Sequence, residues 1–494
     1  MRSRILLIFG VSAGFFVLAL LTGPPSFDAT DGAEFAVCGS ELQIAHAPGY
    51  PLFLMMIRVF SVVFSPLYGH LRILNCFLAA AAAAIGTAAF RKAGYSFSAA
   101  SVGIVLFLTS APVLSQFNSL EIYPLAIVLV LLAIYLKDSA LSPYISGMAV
   151  FGGHPVSLLS ASLFVSFKKK WPLLLFMLVP ATLYLYLPLR SGACRIAHYG
   201  HPHTIESLIG YFTMYSGRLS VPSFARLATA LGFIGIPALA VFTLLAAAGG
   251  RFRAQKDLPI IAAVLFLASY SLPDPAGQLW ILLLPLSIRC TGGIQSLFKK
   301  TLPIKTGTIV VVAAAAVSGV VSADRTDDDI AMRWTTDVMS SLQPGSVYRP
   351  VAHDAFYAAY AQHTLGFRPD VILSDSYGNY FEFSPPPPIP PEVGGRTVHI
   401  SRAWDRTEDF SLQGLIFSPV RAAQGSPDLG QMAIFRFCGR SPDPMAMDIV
   451  AEAWMRRMIQ EQDPALADSF YLKALEFSAT PLTRSRIESI AENY

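Results

Sequence analysis

The chain has 494 residues, 54% of them hydrophobic, a mean hydropathy of +0.52 and a formal net charge of +4. A composition this apolar excludes an ordinary soluble domain. The charge is divided unevenly: residues 1–322 hold 21 Lys and Arg against nine Asp and Glu, and residues 323–494 hold 15 against 23. The first part therefore reads as a polytopic membrane region and the second as an acidic soluble domain. Neither a nucleotide phosphate loop nor a Gly-rich dinucleotide fingerprint occurs, and no nucleic-acid partner is expected.

Arg2 and Arg4 precede an apolar run over 5–21, which reads as an uncleaved signal anchor because no small-x-small cleavage site follows it. A helix needs about 20 apolar residues to cross the hydrocarbon. Candidate spans lie near 5–22, 73–90, 98–115, 122–137, 141–153, 155–167, 171–188, 228–249, 258–272, 278–291 and 306–322, the two around His154 being short. Residues 52–64 are apolar but carry Arg58, and the balance of positive charge places them. As an interfacial helix they leave fifteen of the 21 cations on the cytoplasmic side; as a span they reverse that count. The expected class is an α-helical polytopic membrane protein of about 11 transmembrane helices plus an interfacial helix. Its N-terminus is cytoplasmic, and a bacterial inner membrane is the expected compartment.

The expected domains are 1–322, transmembrane; 323–450, an extracytoplasmic α/β domain; and 451–494, a helical C-terminal segment. Strands are expected at 346–348, 371–373, 414–417 and 432–437, a helix over 354–364, and a proline-rich linker over 384–391. The five cysteines show no zinc spacing; a pairing of Cys38 with Cys194 stays open.

Four of the nine acids before residue 323, Asp28, Asp31, Glu34 and Glu41, fall in one loop directly after the first span. Transfer of a sugar to a hydroxyl needs a carboxylate to take the acceptor's proton while an activated group leaves. Asp31 and Glu34 are three apart, so one helical turn puts both on one face. The competing reading is helix capping, with Asp28 or Asp31 as N-cap and Glu34 in the first turn.

Asp31, Gly32, Ala33, Glu34, Phe35, followed by Ala45, His46, Ala47, Pro48, Gly49, Tyr50, Pro51 and Leu52, resembles the signature D-x-G-E-[LF] … A-H-P-P-G-Y-P-L. That signature marks a family of multispanning membrane proteins related to protein O-mannosyltransferases, within the GT-C class of glycosyltransferases. The likeness continues through Arg72 to Asn75, Glu121 to Tyr123, Gly153 and His154, Tyr186 to Ser191, His198 to Pro202, and Arg368 to Val371. Three positions depart from it: Ala47 replaces a proline, Gly32 and Ala33 replace Ser-Gly, and His201 replaces an acid.

The resemblance implies an inverting glycosyltransferase taking a sugar, mannose in the type case, from a polyprenyl-phosphate donor at the membrane. The acceptor would be a hydroxyl of a protein or a glycan on the extracytoplasmic face. Asp31 is the implied general base and Glu34 a supporting carboxylate or metal partner. His46, Tyr50, Glu121, Tyr123, His154 and Arg190 are the implied donor- and substrate-binding residues, with Arg190 clamping phosphate. Arg190 also reads as an interfacial anchor, His154 as a satisfied buried histidine, and Asp274 as a turn residue. His198, His201 and His203 crowd one loop, yet the aligned motif is not a metal site. No metal ligand is assigned and no cofactor is certain, a divalent ion being left open. The rival classes are a transporter or flippase of lipid-linked substrates, which predicts inverted repeats, and a non-catalytic membrane scaffold. Asp28 and Glu41 are expected in solvated or capping roles.

Overall fold

The structure, a computed structural model, describes residues 2–491 apart from 161–162, 164–170, 195, 197–198, 214–219, 251–253, 271–275, 352, 375–391, 402–409, 414, 420–428, 438–440 and 442. Lys168 to Lys170, His198, Asp274, Cys438 and the proline-rich segment lie outside the described residues.

The membrane part begins with α1 (Arg2–Leu21), α2 (Gly32–Ser40), α3 (Pro51–Val63), α4 (Tyr68–Leu71), α5 (Ile73–Lys92), α6 (Phe97–Leu108), α7 (Ala111–Phe117) and α8 (Tyr123–Tyr135). Helix α5 carries the alanine run 79–84, with Ala79, Ala82 and Ala83 buried. Small side chains let backbones approach closely, and α1, α6 and α8 all pack on this helix. Prolines stand in the first turn of α3, α7 and α8, where the missing N–H has no helical partner to lose.

The described helices differ in length from several of the expected spans. Among the described residues two helices, Tyr68–Lys92 and Leu302–Ala323, are long and apolar enough to cross a membrane singly. The expected span 98–115 is instead α6 and α7 bent by 77°, and 228–249 is Phe224–Gly232 and Ile236–Ala248 bent by 102°. Backbone chemistry breaks these runs: Pro112 opens α7, and Gly235 sits at φ +78 between the other pair. The α6–α7 bend receives Gly319 of Leu302–Ala323, where an added Cβ would lie 2.0 Å from the Thr109 carbonyl oxygen. Residues 141–153 run as a helix (Ser142–Gly147) that widens over Met148–Gly153 and stops at His154. Arg58 of α3 donates to the Ser40 carbonyl at the end of α2, while Val59, Val62 and Val63 face outward.

After residue 323 come a helix, Ile330–Ser341, and a small mixed sheet of β1 (Val347–Arg349), β2 (Ile372–Leu373), β3 (Glu392–Val393), β4 (Arg396–Ile400), β5 (Phe410–Gln413) and β6 (Ile416–Pro419). The order is β2-β1-β4-β6-β5, with β3 paired to β4; β1 runs parallel to β2 and β4, and the other pairs are antiparallel. The strand expected at 432–437 is a tight turn over Ala433–Arg436, whose first two residues, Ala433 and Ile434, donate backbone N–H to Asp337 rather than to a sheet. Three helices close the chain, Pro444–Gln460, Pro464–Phe477 and Pro481–Ala491. Asp443 and Asp463 cap the first two, each accepting at 2.9 Å from the second residue beyond. Helix therefore begins at 444, not at 451.

Helix His353–Ala359 of the soluble part packs directly on α2. Tyr357 donates to the Ala29 carbonyl at 2.5 Å, Tyr360 accepts from the Tyr68 N–H at 2.8 Å, and Phe27 packs against both tyrosine rings. The acidic loop is thus clamped between the membrane helices and the soluble domain.

Candidate active site

Asp31 occupies the N-cap position of α2, and its backbone carbonyl accepts from Phe35 at 2.9 Å. Its side chain makes no capping bond, so the carboxylate is free to face inward. Glu34, in the first turn, is almost wholly buried and accepts from both the backbone N–H of His46 (2.5 Å) and the ring atom Nδ1 (2.8 Å). The opposite ring nitrogen, Nε2, lies 3.6 Å from Asp31. Burial opposes a charge on His46, but Glu34 and then Asp31 outweigh it and hold the imidazole up to about 9. His46 is therefore an imidazolium at neutral pH, flanked by two carboxylates.

The loop after His46 turns at Gly49, φ +90, where a Cβ would come within 2.6 Å of Leu187 and 2.8 Å of the Tyr211 hydroxyl. This turn carries Tyr50 into the site, where its ring meets those of His46, Phe35 and His154. His154 is stacked between Tyr50 and Tyr123, with centroids 5.7 and 5.2 Å away. Tyr211 and Tyr186 hold the same loop from outside, donating to the carbonyls of Ala45 (2.6 Å) and Gln43 (2.7 Å).

Arg72 and Asn75 shape the wall that presents Glu121. Arg72 donates to the end of α1 at Ala19 and Leu20 and to Asn118, while Asn75 donates to the carbonyls of Ser119 (2.7 Å) and Glu121 (2.8 Å). These bonds satisfy carbonyls that a helix end and a break would leave unpaired. Thr30 Oγ1 stands 2.7 Å from Glu121 and 2.8 Å from Asp28, and Asp28 is 2.8 Å from Arg325. One hydroxyl carries one proton and donates to one acceptor only. One of the two carboxyls must therefore be protonated. Burial, then Asp31 and Asp28, raise Glu121 well above the usual carboxylate range; burial raises Asp28 as well, against the pull of the Arg325 guanidinium bonded to it.

These groups line a cavity of about 730 Å³. Of the expected site residues Asp31, Glu34, His46, Tyr50, Glu121, Tyr123 and His154 all face it. Arg190 does not. Its guanidinium bonds the carbonyls of Leu42 (2.9 Å) and Glu41 (3.4 Å), bracing the far end of the loop away from the cavity lining. Asp28 is also corrected: far from solvated, it is fully buried in an ion pair. Glu41 is exposed at the end of α2, as expected. His203 bonds the His201 carbonyl and joins no cluster of ligands among the described residues. The set Asp31, Glu34 and His46 has donor atoms within 4.8 Å of one another and could hold a divalent cation only if His46 first gave up its proton. Cys38 and Cys194 are both buried free thiols.

Sequence reading missed, among others, Thr30, Arg325, His353, Phe356 and Met445, which also line the cavity. Thr30 stood inside the signature loop and could have been found there. The other four belong to no motif and arrive from beyond the last membrane helix.

Residues 31–188 match the family model described as "Protein O-mannosyl-transferase TMEM260 N-terminal domain". The resemblance carried by the motifs is thereby shown over that interval. The chain is also similar in fold to ArnT from Cupriavidus metallidurans bound to undecaprenyl phosphate, at 14% identity and a TM-score of 0.54, over 76% of this chain and 87% of that one. The apo form of the same protein matches at 14% identity and a TM-score of 0.46, over 76% and 86%. No curated protein matches the chain. The family match covers 158 of the 494 residues, and the likeness to ArnT is one of fold.

Proposed function

We propose that this protein transfers a sugar, mannose in our reading, from a polyprenyl-phosphate donor to a hydroxyl of a protein Ser/Thr or a glycan at the extracytoplasmic face. One observation carries the proposal. The Asp31 carboxylate opens on the cavity without a hydrogen bond among the described residues, held between two histidines. Asp31 takes the proton of the acceptor hydroxyl as its oxygen attacks the anomeric carbon. The bond from that carbon to the phosphate oxygen breaks with its electron pair leaving on the phosphate, and the anomeric centre inverts. The Glu34–His46 pair places a positive charge beside Asp31, keeping the base ionised before the acceptor arrives. A divalent cation held by Asp31, Glu34 and His46 would compete with that role for Asp31 and would stabilise the departing phosphate instead. The aromatic wall of Tyr50, Tyr123 and His154 suits the faces of a sugar ring. The undecaprenyl phosphate of the ArnT neighbour supports a lipid-phosphate donor here, and the family name supports mannose. A bacterial inner membrane, with the soluble domain outside it, is part of the same reading.

The test is Asp31→Asn in purified protein, given a polyprenyl-phosphate mannose and a labelled acceptor peptide. Transfer should fall by roughly 10²–10⁴-fold with donor binding retained. Undiminished transfer would sink the assignment of the base.

A further inference from the structure

We infer that His353, a residue of the soluble domain, positions the Asp31 carboxylate, so that the catalytic centre is incomplete without the part of the chain beyond the last membrane helix. The inference rests on Asp31 being the base. Its geometric footing is separate. Asp31 Oδ1 lies 3.8 Å from His353 Nδ1 and Oδ2 lies 3.6 Å from His46 Nε2, so each oxygen faces one imidazole from an opposite wall. A carboxylate at a loop–helix junction with no hydrogen bond of its own turns about its side-chain torsion unless both oxygens are held. Both contacts are longer than hydrogen bonds, as catalytic contacts often are before substrate tightens them.

The helix that carries His353 is tied to the acidic loop. His353 starts helix His353–Ala359, its ring lies nearly parallel to the Tyr357 ring (24°), and Tyr357 is tied to Ala29, two residues before Asp31. The helix that supplies the histidine is thus bonded to the loop that supplies the acid. Phe356 of the same helix and Met445 of the helix Pro444–Gln460 extend this wall of the cavity. His353 touches Asp31 and no reacting atom; its role is to orient.

The experiment uses the full chain in nanodiscs, undecaprenyl-phosphate mannose as donor and a Ser/Thr peptide as acceptor. His353→Ala should lower kcat by roughly 10–100-fold, the scale of a misplaced catalytic group. The donor KM should stay within about twofold. His353→Asn and His353→Gln, which keep a donor near the carboxylate, should recover most of the loss, and the unfolding midpoint should match wild type in all three. Wild-type turnover in His353→Ala, a raised donor KM at unchanged kcat, or a loss that neither amide relieves would overturn the inference. Asp31→Asn separates the two readings. If it still transfers sugar, the base is misassigned; if it is inactive while His353→Ala is normal, only the positioning role fails. Should the wild type not accept this sugar, carbodiimide labelling of Asp31, read by peptide mass spectrometry, decides instead. Labelling should quicken in His353→Ala and return to the wild-type rate in His353→Asn; equal rates in all would overturn the inference.

Discussion

Asp28 and Arg325, 297 positions apart, meet at 2.8 Å in an ion pair whose side chains are 0% and 6% exposed. Arg325 also reaches Asp443, 3.4 Å away, at the cap of the helix Pro444–Gln460. One guanidinium therefore joins the loop after α1, the end of the last membrane helix and the soluble domain. Removing one partner of such a pair leaves the other charge buried and alone, at a cost of about 3–5 kcal/mol. Arg325→Met strands two carboxylates and should lower the unfolding temperature more than Asp28→Asn, which leaves Arg325 its Asp443 contact. Thermal unfolding of both variants checks the order; a smaller effect from Arg325→Met would break this account of the joint.

Burial and the neighbouring acids push Glu121 toward its protonated form in the wire Glu121–Thr30–Asp28. Glu121→Gln replaces an acid donor by an amide donor and should leave stability within about 1 kcal/mol of wild type. Glu121→Ala opens a hole beside Thr30 and should cost about 1–3 kcal/mol. The ratio of the two losses, from denaturation curves, is the check. Equal damage from Gln and Ala would mean that Glu121 is ionised.

His46 sets a pH dependence. Its value in the folded protein, about 9, lies above the ordinary 6.5, so protonation favours folding. The contribution, on the order of 3 kcal/mol, is fully present below pH 6.5 and is lost as pH rises through 9. The unfolding temperature should therefore fall between pH 7 and pH 10, and His46→Gln should flatten that limb of the curve. A wild-type profile unchanged by the substitution would show that Glu34 and Asp31 do not hold the charge.

Gly49→Ala places a methyl group against Leu187 and Tyr211 at a φ of +90. A strained position of this kind costs about 1–3 kcal/mol. Because the turn carries Tyr50, transfer activity should fall alongside the unfolding temperature. Loss of stability with activity intact would separate the turn from the site.

The run from Asp31 to Tyr50 could be read as a site from the chain alone, because its functional side chains are local: a helix start, a turn and a loop bring them together within twenty residues. The membrane class was equally legible, since apolar composition is a property of segments. The bends within two of the expected spans were not, because Pro112 and Gly235 break helices whose composition reads as continuous. The carbonyl partners of Arg190 were hidden for a related reason: residue type shows that a cation is near the surface but not which carbonyls it finds.

Sequence by itself carried the family resemblance, the apolar character and the acid–histidine cluster of the candidate site, each being a matter of local pattern. Tertiary structure alone decided that Asp28 is buried opposite Arg325 and that Asp31 lies opposite His353. Those pairings depend on packing the soluble domain onto the acidic loop, and no local periodicity or spacing specifies which side chains meet when segments some 300 residues apart exclude water together.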